Sequence, residues 1–158
     1  TMWNGCGWKP SSRRGDGMDV MMTIIGRQTM DGECDVTELT VPGQMLPLPD
    51  GWELRYQQED ETGVVTSRVR VTDGQLEVER RGAVSSTLRL TVGQRQESDY
   101  DTGYGWLRMG LETEFLACDL TPAGGRVEAH YTMDINGTVM ADHVLTMEIK
   151  GAETICQK

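Results

Sequence analysis

The stretch Val127-Glu128-Ala129-His130-Tyr131-Thr132-Met133-Asp134-Ile135-Asn136-Gly137 decides the fold. Val127, Ala129, Tyr131, Met133 and Ile135 fall on one side of an extended chain, and Glu128, His130, Thr132 and Asp134 fall on the other. That two-residue period marks a strand with one dry and one wet face. Asn136-Gly137 then supplies the residues a two-residue type I′ hairpin needs, because both central positions take positive φ. The strand beyond the turn repeats the pattern, with Ala141, His143, Leu145, Met147 and Ile149 on its dry face.

The same text extends upstream. Val65, Ser67, Val69 and Val71 oppose Thr66, Arg68 and Arg70, and Leu88, Leu90 and Val92 oppose Thr87, Arg89 and Thr91. Turn chemistry separates the runs at Met30-Asp31-Gly32, Pro42-Gly43, Pro49-Asp50-Gly51, Glu61-Thr62-Gly63, Thr72-Asp73-Gly74, Val92-Gly93, Asp101-Thr102-Gly103 and Pro122-Ala123-Gly124-Gly125. The segment from Leu107 to Cys118 fits either period. Gly110 would cost a helix roughly 1 kcal/mol relative to Ala, so we read a strand whose inner face is Leu107, Met109, Leu111, Thr113, Phe115 and Ala117. Eight to ten strands in meander order, with no convincing helix, leave an all-β sandwich or a single antiparallel up-and-down barrel, and the short sequential connections favour the barrel, in which neighbours in sequence are neighbours in space. The domain spans residues 18–151. Residues 1–17 read as a flexible leader and 152–158 as a C-terminal tail.

Composition narrows the partners. The chain has 158 residues, a length suited to one core, and 25 acidic against 15 basic residues give a net charge of −10. Such a surface on average repels phosphate backbones and anionic lipid, so nucleic acid and membrane are not expected partners. Cys6, Cys34, Cys118 and Cys156 show no CxxC spacing. With no signal-peptide pattern at the N-terminus, they read as reduced, structural thiols of a cytoplasmic protein. Two histidines are too few for a multi-histidine metal centre, and we expect neither metal nor cofactor.

The run from Leu76 to Gly105 contains Arg80-Arg81-Gly82-Ala83-Val84-Ser85-Ser86 followed by Tyr100-Asp101-Thr102-Gly103-Tyr104-Gly105. This pairing resembles the YwiB-like family of small bacterial proteins, over about residues 20 to 150. The chain departs from that family's pattern at Gly103 and His143. The resemblance implies a calycin or lipocalin-like barrel in a bacterial cytoplasm, and it carries over no catalytic residue.

Candidate site residues are the polar side chains on dry faces: Ser67, Arg80, Ser86, Thr113 and His143, with Tyr56, Tyr100 and Tyr131 as amphipathic walls. Arg80 continues the face of Leu76 and Val78. A guanidinium keeps its proton, so if buried it must meet a carboxylate, carbonyls or an anionic ligand; at a strand end it would instead turn its head to water. His143 reads either as a ligand contact or as a neutral core histidine with one hydrogen bond. Tyr100 and Tyr104 crowd one turn, as the mouth of a cavity or as its plug. Ser85 and Ser86 lie in no nucleophile elbow. The acids Glu59, Asp60 and Glu61, like Glu97, Asp99 and Asp101, read as a solvated rim.

The expected function is therefore binding of a small, partly apolar or anionic ligand in the lumen, at Arg80, Ser86, Tyr100, Tyr104 and His143. The alternative is a non-catalytic interaction or homodimeric module, which Trp52, Trp106 or Val64 exposed in one apolar patch would favour. An enzyme with acid–base groups in the lumen is the third reading.

Overall fold

The computed structural model describes residues 17–61, 63–82, 85–101 and 104–151, with the backbone alone for Asp60, Tyr100, Asp101 and Met140. The leader up to residue 16 and the tail from residue 152 lie outside the described residues, as do Thr62, Ala83, Val84, Thr102 and Gly103.

Ten strands follow one another: β1 (Met18–Met30), β2 (Glu33–Leu48), β3 (Gly51–Asp60), β4 (Gly63–Thr72), β5 (Gln75–Gly82), β6 (Ser86–Thr91), β7 (Arg95–Asp101), β8 (Trp106–Thr121), β9 (Gly124–Ile135) and β10 (Thr138–Gly151). They form one antiparallel sheet in the order β6-β5-β4-β3-β2-β1-β10-β9-β8-β7. The expected meander is present, and first and last strands close it, paired from Val20 opposite Gly151 to Thr29 opposite Asp142. The expectation fails at one point. β6 and β7 are consecutive in sequence yet do not pair, and the nearly closed barrel opens between them.

The reason lies in what each strand turns inward. Most strands bring aliphatic or thioether side chains to the core, where Met22, Met45, Leu54, Leu76, Leu90, Leu111 and Met147 are fully buried. Each such burial stabilises the fold by about 1.5–3 kcal/mol. Among its described side chains β7 brings Gln96 and Ser98, opposite Leu111 and Met109. With no aliphatic on its inner face, β7 has little to hold it against β6. It is fastened from outside instead. Arg95 forms a two-pronged bond to the buried Asp134, at 2.6 and 2.8 Å, and its guanidinium lies where a side chain on Gly110 would stand. At the β6–β7 turn, Val92 bridges Thr113, the Gly93 amide donates to the Thr113 carbonyl at 3.3 Å, and Gln96 donates to the Thr91 hydroxyl at 3.2 Å.

Three further expectations are corrected. Pro42-Gly43 is not a turn but the middle of β2; pairing with β3 begins only at Gly43, so Pro42 sits on a free strand edge, where a missing N–H costs nothing. In β8 the ladder shifts between Thr113 and Phe115, and this bulge exchanges the faces beyond it. Phe115 and Ala117 are therefore outside, with Phe115 tilted against His130 at 4.9 Å between ring centres, while Leu116 and Leu120 pack inward. Cys34 and Cys118 are exposed free thiols rather than structural core residues. The Asn136-Gly137 hairpin stands as expected, with φ of 52° and 88°.

Candidate functional site

Register assembles the polar inner residues into two rows. Across β3 to β6, Tyr56, Ser67, Arg80 and Ser86 stand opposite one another in succession. Across β8 to β10, Thr113, Tyr131 and His143 do the same, and Gln28 of β1 continues the row.

Between the rows lies a cavity of about 200 Å³. Ile24, Val69, Val78, Leu88, Leu145, Met109 and Met147 form its apolar lining, Tyr56 and Tyr131 are its amphipathic walls, and Arg80, Ser86 and Thr87 line its polar side. The same three polar residues also line a groove of about 490 Å³ outside the β6–β7 gap, together with Glu79, Arg81, Ser85, Arg89, Glu97, Ser98, Asp99 and Trp106. They thus stand at the mouth through which the lumen meets solvent.

Arg80 occupies that mouth. It lies on the inner face of β5, in register with Ser67 and Ser86, and remains exposed because the barrel is open beside it. Its neighbours are neutralised: Arg81 pairs with Glu79, and Arg89 with Glu77 at 3.2 Å. Among the described residues Arg80 forms no salt bridge. Burial pushes the Tyr131 phenol above its ordinary pKa, and the positive charge of Arg80 partly offsets the rise. The guanidinium thus acts on the lumen as well as on solvent.

Three buried polar atoms have no hydrogen-bond partner among the described residues: Ser67 Oγ, Thr113 Oγ1 and His143 Nε2. Each belongs to one of the two rows. Buried polar groups are ordinarily paired, so such atoms call for an explanation. The His143 ring stacks on Tyr131, 4.9 Å between centres and 2° from parallel. Burial holds its pKa below the ordinary range, against a smaller upward pull from Asp142. The lowered pKa fits the neutral histidine anticipated from sequence, with Nε2 unpartnered among the described residues.

The remaining sequence candidates are placed apart. Ser86 lines both cavity and groove. Tyr104 is fully exposed in the bend before β8 and is not among the residues lining the cavity. The backbone of Tyr100 pairs with Leu107, and its side chain lies outside the described ones. Trp106 and Val64 are exposed, whereas Trp52 packs against the core and joins no surface patch with them. Met109 and Met147 line the cavity from the inner faces read for them, and Thr87, read on the wet face, lines it as well; the signal for Thr87 is the register between strands, which no single strand carries.

On the outer surface, Glu53 is buried beneath Arg55, Arg68 and Arg70. Burial alone would raise its pKa, but the bonds from Arg55 and Arg70 and the nearby positive charges hold it below the carboxylate range. Through Arg68, 3.8 Å from Glu79, the cluster continues to the Glu79–Arg81 pair. No group of three or more His, Cys, Asp or Glu among the described residues could hold a metal ion, and no helix among them is long and apolar enough to cross a membrane.

The chain is similar to known proteins over most of its length. It is 27% identical over 121 residues to the uncharacterized beta-barrel protein YwiB of Bacillus subtilis (strain 168), a match covering 77% of this chain and 85% of that protein. The crystal structure of the ywiB protein from Bacillus subtilis superimposes with a TM-score of 0.77 at 24% identity, covering 85% of this chain and 92% of the other, and so shares the fold. Residues 22–147 match the family described as a domain of unknown function, DUF1934, and to that family the chain belongs.

Proposed function

We propose that this barrel is a binding protein for a small, partly apolar, anionic molecule held in its lumen, with Arg80 as the anchor and Ser86 beside it. The observation that carries this reading is Arg80 itself: an inner-face arginine with no salt bridge among the described residues, at the mouth of an apolar cavity of about 200 Å³. A guanidinium next to apolar surface favours an anion, to which it offers paired N–H donors. Tyr131, stacked on His143, lines the same cavity. We place the protein in a bacterial cytoplasm, a compartment that suits the exposed free thiols of Cys34 and Cys118.

Native mass spectrometry of the full chain purified from its host tests the reading. We expect a non-covalent small-molecule adduct on the wild-type protein and its loss in Arg80→Gln, with the circular dichroism of the two proteins superimposable. An unadorned mass for the wild-type chain, or an adduct that Arg80→Gln retains, would overturn it.

A further inference from the structure

The size and charge of the site narrow the ligand class further, and the narrowing rests on the lumenal reading above. We infer that the lumen takes a small aryl monocarboxylate: one aromatic ring inside the cavity and one carboxylate on Arg80.

Volume sets the first limit. An apolar cavity of roughly 150 Å³ takes up one benzene, so the present one, at about 200 Å³, accommodates a single six-membered ring with a short substituent. A long acyl chain does not fit. The walls set the second. Tyr56 and Tyr131 face the cavity together with Met109 and Met147; aromatic rings and thioethers both gain from a second ring through offset or edge contacts and through sulfur–aromatic contacts.

Charge sets the third limit. Arg81 and Arg89 are already matched by Glu79 and Glu77, which leaves Arg80 as the cation without a salt bridge, among the described residues, on its side of the groove. On the facing side, Glu97 and Asp99 share Arg108, and Arg95 is occupied by Asp134. One free positive charge confronted by an acidic wall suits a monoanion and repels a dianion. The guanidinium fork matches the two oxygens of a carboxylate. Ser67, fully buried and next to Arg80 in register, adds a hydroxyl with no partner among the described residues.

The test is titration calorimetry together with amide chemical shifts of the full chain, using benzoate, phenylacetate, benzamide, hexadecanoate, phenyl phosphate and inorganic phosphate as probes. We expect benzoate or phenylacetate to bind at least ten-fold more tightly than benzamide and to shift amides of β5, β8 and β9. Arg80→Gln should reduce the acids to the level of the amide while leaving the circular dichroism unchanged. Equal binding of benzamide, or tighter Arg80-dependent binding of hexadecanoate or either phosphate, would overturn the aryl monocarboxylate and leave the lumenal reading intact. Silence of the entire panel would also overturn it, and together with an unadorned native mass would remove both.

Discussion

The barrel has two seams, and they differ in kind. Where β1 meets β10, first and last strands pair from Val20 and Gly151 to Thr29 and Asp142, and behind the ladder sit the fully buried Met22 and Met147. Where β6 meets β7, strands only a short turn apart do not pair, and the inner face of β7 offers Gln96 and Ser98 instead of aliphatics. Sequence separation thus has little say in which seam closes. β7 keeps its full ladder to β8 but, with no aliphatic among its described inner residues, makes none to β6. The closed seam protects the sheet edges nearest the termini, and the open one leaves a cavity with Arg80 at its mouth.

Hydrogen exchange should show the contrast most strongly. Amides of β10 bonded to β1 should open only with the whole molecule, at a cost of about 5–15 kcal/mol, while β6 and β7 amides facing the gap should exchange orders of magnitude faster. Equal protection at the two seams would mean that the gap is closed in solution. Core truncation comes next. Met22→Ala on the closed side should cost about 2–5 kcal/mol in urea unfolding, whereas Leu88→Ala, which enlarges a cavity already present, should fall below that range. Should Leu88→Ala prove the costlier, the cavity would be a solid part of the core.

The smallest effect is a dependence on pH. Burial lowers the pKa of His143, so between that lowered value and the ordinary pKa of about 6.5 the unfolded chain binds a proton that the folded barrel does not. The contribution of His143 is therefore complete above pH 6.5 or so and declines as the pH falls below it. His143→Phe, which keeps a ring against Tyr131, should flatten the fall in urea midpoint between pH 7.5 and 5.5. An unchanged slope in the variant would assign the loss to other groups.

Much of the fold was legible in the alternation. Val65 to Val71 and Val127 to Ile135 read in single file as faces, and the structure keeps those faces. Phe115 was misplaced because one extra residue, Glu114, in the β8 ladder reverses everything after it, and no local composition announces that residue. Pro42-Gly43 misled for a related reason: proline is tolerated there only because the β3 pairing has already ended, a fact about a neighbouring strand. Arg80 could be assigned to the inner face from Leu76 and Val78. Whether an acid awaited it could not, since that depends on which residues of other strands come opposite.

From the amino-acid order alone follow the antiparallel all-β architecture, its main reversals and most of the inner residues, because a strand's two-residue period and a turn's demand for positive φ are local properties. The tertiary structure alone decided the two polar rows, the face reversal in β8, the place of the gap and the absence of a salt bridge to Arg80 among the described residues. These are matters of register and closure, settled by pairings between residues far apart in the chain, where each strand's contribution counts only against its neighbours'.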